Sequence, residues 1–253
     1  MAKQEVGHNF LARLGKTKLR PGGIEATDWL IQQAKIDSQT KILEVACNMG
    51  TTMIHLAKTY GCEITGLDQS TKALEKAKQN IAKEQLGDKI TVVQGNALKL
   101  PFDDGQFDIV INEAMLTMLT GAAKDKAINE YLRVLKPNGL LLTHDVCILD
   151  ETSRHEILTG LSETIHVNVE PLTLTEWQAC FADKGFTVMQ KSGTMSLMDP
   201  IGMVRDEGLI GAYKIVHNGL KEENREQFKK MFTFFRKNKE KIGYVAHVNQ
   251  KRG

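Results

Sequence analysis

Four acids and a histidine fall at or beside the ends of apolar runs. They are Glu44 in Lys41-Ile-Leu-Glu-Val, Asp68 after Ile64-Thr-Gly-Leu, Glu113 after Ile109-Val-Ile-Asn, and His144 with Asp145 after Leu140-Leu-Leu-Thr. The first run leads into the small-residue turn Ala46-Cys-Asn-Met-Gly50, and a helical pattern begins at once from Thr51 and Thr52. A strand, a tight turn, a helix and a second strand closed by an acid make half of a nucleotide-binding α/β unit. In that setting Asp68 is placed to accept hydrogen bonds from both hydroxyls of a ribose. Glu113 reads equally as a partner for a cation, a proton acceptor, or a helix-start acid interacting with a dipole. His144 is of a residue type suited to act as a base, although a histidine hydrogen-bonded at a strand end is the plainer reading. Adjacent strand residues point to opposite faces, so His144 and Asp145 do not form a dyad by sequence alone.

The turn also excludes chemistry. A dinucleotide fingerprint needs three glycines and a pyrophosphate at the helix N-terminus, whereas these positions read Ala46, Asn48 and Gly50. No lysine follows in the place a phosphate-cradling loop requires. A nucleoside without phosphates is the ligand this turn suits, and a nicotinamide oxidoreductase is a weak alternative. Asn48 tolerates positive φ better than most residues.

The elements that must carry these residues alternate. Helical patterns run over Ile24–Ala34, Thr52–Tyr60, Thr71–Glu84 and Lys124–Leu135, and strand patterns over Lys41–Ala46, Glu63–Leu67, Ile90–Gln94, Phe107–Asn112 and Gly139–Thr143. Pro137-Asn-Gly139 turns the third crossover helix into its strand. This alternation predicts an α/β fold, a parallel sheet covered on both faces. Beyond Asp150 a helix over Thr175–Lys184 and a strand over Phe186–Gln190 precede a mostly helical excursion, Met195–Lys241, before a last short strand at Tyr244–Val248. An excursion of that length between strands predicts a lid over the core. One domain of 253 residues is expected: a cap segment over 1–39, a ligand-binding core over 40–150, and a second half over 151–253 carrying the insertion at about 195–241.

Composition narrows the classes. A formal net charge of +2 makes no general case for nucleic acid. Cys47, Cys62, Cys147 and Cys180 lack metal-ligand spacing or a paired framework, so no metal is expected. No signal peptide and no membrane-spanning run is seen, which sets the expectation of a cytoplasmic protein, monomeric or homodimeric. His155 and His166 read as lining for an acceptor pocket or, more plainly, as surface residues. Met195, Leu197, Met198 and Met203 form either core or an adaptable apolar wall. The Glu222–Lys241 segment reads as a solvated basic face over a packed phenylalanine stripe.

From Thr40 to Asp145 the chain resembles the class I S-adenosylmethionine-dependent methyltransferases, nearest those of the ubiquinone and menaquinone biosynthesis type that act on small molecules. The resemblance rests on Glu44-Val-Ala-Cys-Asn-Met-Gly50, Asp68-Gln69, Gln94-Gly-Asn-Ala97, Leu100-Pro-Phe-Asp-Asp-Gly-Gln-Phe-Asp-Ile-Val-Ile111 and Leu132-Arg-Val-Leu-Lys-Pro-Asn-Gly-Leu140 in order. It implies a Rossmann-like, doubly wound, mostly parallel seven-stranded sheet with helical cap insertions. It further implies S-adenosylmethionine as cofactor, with S-adenosylhomocysteine as product. Glu44, Ala46, Cys47, Asn48, Gly50, Thr51 and Thr52 would hold its methionine part, Asp68 its ribose, and Gln69, Asn96 and Ala97 its adenine. Asn112 and Glu113 would sit near the sulfonium or ammonium. The mobile turn Leu19-Arg-Pro-Gly-Gly23 would fold over the cofactor, bringing Arg20 to its carboxylate and Gly23 close by. The expected activity is methyl transfer to a small-molecule acceptor, with Glu113 and His144 as catalytic candidates. The alternatives are a protein of this fold that binds the cofactor without catalysis, and methylation of a protein. The sequence Asn112-Glu-Ala-Met115 lacks the Pro-Pro-aromatic motif of enzymes acting on bases or glutamine.

Overall fold

The computed structural model describes residues 5–253. Five parallel strands, β1 (Lys41–Val45), β2 (Glu63–Asp68), β3 (Ile90–Gln94), β4 (Phe107–Glu113) and β5 (Leu135–Ile148), are joined by crossover helices, except that β3 reaches β4 through a loop. After β5 come a two-residue strand β6 (Leu172–Thr173), β7 (Phe186–Thr194) and β8 (Ile242–Lys251). The order is β3-β2-β1-β4-β5-β8-β7, with β8 antiparallel to both neighbours and β6 beside β5. The chain turns outward in opposite directions from β1 and β4. That reversal leaves the crevice at their carboxyl ends where open α/β sheets take ligands.

Helices α2 (Gly23–Gln33), α3 (Thr51–Tyr60) and α4 (Thr71–Lys83) bury Leu30, Met53, Leu56, Leu74 and Ala77 against one face of the sheet. On the other face α5 (Gly121–Val134) and α7 (Leu174–Ala182) pack Ile128, Tyr131, Trp177 and Phe181. Sequence periodicity placed these elements within a few residues. Three strands are longer than expected: β7 runs on to Thr194 alongside β8, and in β5 a register shift between Phe107 and Ile109, opposite Asn138 in a left-handed conformation (φ 62°), absorbs the Pro137-Asn-Gly139 turn as a bulge. β8 extends to ten residues because it pairs along most of β5.

A third apolar cluster lies beyond the sheet's carboxyl edge. It joins α1 (Gly7–Leu14) and α6 (Arg154–Ile165) to the insertion between β7 and β8, which folds as α8 (Pro200–Gly219) and α9 (Arg225–Lys237). Phe10, Leu11 and Leu14 of α1 meet Ile157, Met203, Ile215, Phe228 and Met231 there. α8 is broken at Gly208, whose φ of 71° and ψ of 170° interrupt the helix. The excursion therefore forms a cap together with the N-terminal segment. A buried ion cluster ties the two: Lys16 lies 3.6 Å from Asp206 and 3.7 Å from Glu207, and Glu207 also accepts from the Thr17 and Lys18 backbone N–H groups. No helix among the described residues is long and apolar enough to cross a membrane.

Because Phe10 is 1% exposed, Phe10→Ala is expected to cost about 3–5 kcal/mol in urea unfolding; a loss below about 1 kcal/mol would show that α1 is not docked in this cluster.

Candidate active site

β1 runs straight into a loop whose backbone alternates. Ala46, Asn48 and Gly50 all have positive φ (61°, 48° and 78°), while the residues between them do not. The left-handed geometry that glycine provides freely is thus kept by an asparagine, which tolerates it, and by an alanine, which is strained in it by about 1–2 kcal/mol. Asp68 at the end of β2 holds the loop in place: one carboxylate oxygen accepts from the Asn48 N–H at 2.9 Å and the other from the Ser70 N–H at 2.9 Å. Both oxygens keep further lone pairs for a ligand.

This loop forms one wall of a cavity of about 300 Å³. Ala46, Cys47, Asn48, Thr51 and Thr52 line it, as do Glu44 and Glu113 below the loop. At the far end Asp68, Gln69, Gly95 and Ala97 complete the wall. Arg20, with His8, Thr17 and Leu19, closes it from the N-terminal segment. Four of the residues expected at the cofactor do not line this cavity. Gly50 supports the turn from behind, packed near Met53 and Ala77. Gly23 faces the insertion, where a Cβ would lie 2.3 Å from Asp206, so its missing side chain serves cap packing. Asn96 is exposed and its amide oxygen accepts from the Leu98 N–H. Asn112 is buried behind the cavity and donates to the Val45 carbonyl.

Beneath Arg20 lies a closed polar network. The guanidinium contacts Glu113 at 3.1 Å and donates to Thr27 at 2.7 Å and Thr52 at 2.5 Å. Thr27 in turn donates to Glu113 at 2.5 Å, and His144 Nδ1 lies 3.2 Å from the same carboxylate. His144 Nε2 accepts from the Gly22 N–H at 2.8 Å, which leaves the ring hydrogen on Nδ1 to donate to Glu113. Both ring nitrogens are therefore occupied, and the ring, 0% exposed, lines no cavity described here. His155 and His166 also stand clear of both cavities, while Asp145 points to the opposite side of β5 from His144 and accepts from Thr117 and the Val146 N–H.

The two buried carboxylates differ sharply. Burial alone would raise Glu113, but Arg20, His144 and Thr27 outweigh it and hold its carboxyl down to about 2. Glu44 is pushed up to about 8 by burial and by the negative charge of Glu113, and its Oε2 has no hydrogen-bond partner. Burial also raises the Cys47 thiol, which stays protonated and unreactive.

A second, smaller cavity of about 90 Å³ adjoins the first; His8, Leu19, Ala114 and Met118 line both. Ala114 lies in a left-handed conformation (φ 57°) just past β4, a strained bend of the kind found at functional sites. Walls of Leu11, Leu161, Ile165, Met195, Met231 and Phe235 make this cavity apolar, with Thr117 and Asp145 as its polar floor. Of the methionine group in the insertion, Met195 and Leu197 form this wall, whereas Met198 and Met203 are core. The residues of α1, α6 and α9 that close it carry no sequence motif.

Glycine at position 46 removes the strain of a left-handed alanine, so Ala46→Gly is expected to raise stability by about 0.5–1 kcal/mol in chemical denaturation; a loss of stability would mean the alanine methyl packs favourably. Glu44 binds its proton more tightly when folded than when unfolded, so its contribution to stability declines as pH rises from about 4.5 to about 8. Glu44→Gln should flatten the fall in stability of the ligand-free protein over that window, and an unchanged pH profile would show that Glu44 ionises freely.

The model for a methyltransferase domain matches residues 42–139. An uncharacterised protein of Haemophilus influenzae is 56% identical over 99% of this chain and 100% of its own length. An uncharacterised methyltransferase of Synechocystis is 33% identical, covering 68% of this chain and 79% of its own. Among solved structures, a putative sarcosine dimethylglycine methyltransferase from Galdieria sulphuraria superposes with a TM-score of 0.75 at 17% identity, over 97% of this chain and 98% of that one. The sheet order, the left-handed loop after β1 and these likenesses agree: the chain belongs to the class I S-adenosylmethionine-dependent methyltransferases.

Proposed function

We propose that this methyltransferase acts on a small, largely apolar molecule seated in the second cavity. The observation that carries this reading is the seam between the cavities. The first cavity has the polar groups a sulfonium nucleoside needs, the second is apolar, and four residues are common to both. A methyl donor in one and an acceptor in the other would meet at that seam. The second cavity is closed by α1, α6 and α9, whose Leu11, Leu161, Ile165 and Phe235 a protein segment would have to displace. Met118, Met195 and Met231 give it a deformable lining suited to one apolar shape or several.

The donor fits the first cavity residue by residue. S-adenosylmethionine, when bound, supplies an electrophilic methyl group on its sulfonium. Asp68 offers its spare lone pairs to the ribose diol. The orphaned Oε2 of Glu44 suits the ammonium, whose charge would draw Glu44 into its ionised form. Arg20 spends three of its five N–H donors on Glu113, Thr27 and Thr52, and the rest are available to the carboxylate. Gln69 and Ala97 would border the adenine, and Asn96 is placed for loop support.

Glu113 and His144 are positioning residues in this reading. A carboxyl held near 2 and saturated with donors is a poor proton acceptor, and the His144 ring is locked between Glu113 and Gly22. Their work is to fasten the segment from Arg20 to Gly22 over the donor and exclude water.

Two expected outcomes test the reading. Asp68→Ala should weaken S-adenosylhomocysteine binding by about 2 kcal/mol or more in calorimetry, since hydrogen bonds to a charged acceptor and the loop anchor are both lost; unchanged affinity would remove Asp68 from the site. Incubated with methyl-tritiated S-adenosylmethionine and a cell extract, the enzyme should deposit label in the low-molecular-mass fraction. Label confined to protein or nucleic acid would overturn the small-molecule acceptor.

A further inference from the structure

His8 of α1 is the single titratable side chain among the four residues lining both cavities. Among the described residues neither ring nitrogen has a hydrogen-bond partner; Nδ1 is sealed from solvent, which leaves Nε2 as the accessible ring atom. Two neighbouring acids are committed: Glu113 to Arg20, Thr27 and His144, and Asp145 to Thr117 and the Val146 N–H. A half-buried imidazole whose Nε2 is committed to no group among the described residues, placed between donor and acceptor spaces, is free to bond a ligand there.

Building on the two-cavity reading above, we propose that His8 is the proton-accepting catalytic residue, and that the acceptor is an apolar molecule presenting one O–H or N–H to its Nε2. The neutral ring then keeps its hydrogen on Nδ1 and offers the Nε2 lone pair. As the acceptor oxygen or nitrogen bonds to the methyl carbon, the carbon–sulfur bond breaks and its electron pair returns to sulfur. The acceptor's proton passes to His8, which becomes imidazolium and later releases it to water. Burial lowers the His8 pKa, keeping the ring neutral and ready to accept, while the Asp68 charge opposes that shift and steadies the imidazolium once formed. The charged groups lining the two cavities around it are Arg20, Glu44, Asp68, Glu113 and Asp145; α6 and α9 add only apolar side chains.

The test uses the full chain saturated with S-adenosylhomocysteine and two probes of one ring each, p-cresol and toluene, which differ by a hydroxyl. Binding is followed by NMR in the wild type, His8→Leu and His8→Gln, with folding checked by circular dichroism. In the wild type p-cresol should bind at least fivefold more tightly than toluene, and the preference should fade as pH falls through the His8 pKa, below its ordinary 6.5, while toluene binding holds. His8→Leu should bring the two probes within twofold. His8→Gln, whose amide oxygen accepts but does not titrate, should keep the preference and lose its pH dependence. A preference that survives in His8→Leu, or equal binding of both probes to the wild type, would overturn the role of His8. Failure of both probes to bind the S-adenosylhomocysteine complex would instead overturn the acceptor cavity, and with it this proposal. Failure of S-adenosylhomocysteine itself to bind would overturn the assignment of the first cavity.

Discussion

The buried ion pair between Arg20 and Glu113 is the contact on which the site depends. Neither charge could remain in the interior alone, since removing one partner of a buried pair costs several kcal/mol. Thr27, Thr52 and His144 add hydrogen bonds to it, so the pair is braced as well as neutralised. It joins three parts of the chain that have no other reason to meet at one point: the segment before α2, the end of β4 and the start of α3. These parts and the loop between β1 and α3 supply much of the wall of the first cavity.

The pair also sets the electrostatics around it. With Glu113 ionised and compensated, a second buried carboxylate nearby is disfavoured as an anion, and Glu44 holds its proton. A cationic ligand group reverses that balance. The cavity therefore carries its negative charge in two forms: one fixed and spent on the cap, the other released when a positive group arrives.

Much of this was legible in the chain. Strand ends and crossovers follow from apolar runs and turn residues, and Asp68 and the loop after β1 follow from the nucleotide-binding half-unit. Ala46 and Asn48 stood where glycines were expected, and the backbone there took the glycine conformation regardless, because Asp68 and the flanking strand and helix over-determine it. Gly23 and Asn96 illustrate the opposite case. The type and position of each suggested a ligand, but Gly23 is small for the sake of Asp206 and Asn96 turns inward on its own loop. The second cavity was legible only in the wall formed by Met195 and Leu197. Its other apolar walls come from α1, α6 and α9, brought together by nonlocal apolar packing whose partners no local pattern names. Lys16, buried against Asp206 and Glu207, belongs to the same class, since a lysine in a polar stretch reads as solvated until its partners 190 residues away fold onto it.

His8 and Leu19 belong to a single covering segment and yet face both cavities. A ligand that holds this segment down over one cavity completes the wall of the other. Two ligands coupled through this segment would share one conformational equilibrium, and each would then tighten the binding of the other by the same factor. Free-energy coupling of this kind favours a ternary complex over either binary one, and it weakens as soon as either partner departs.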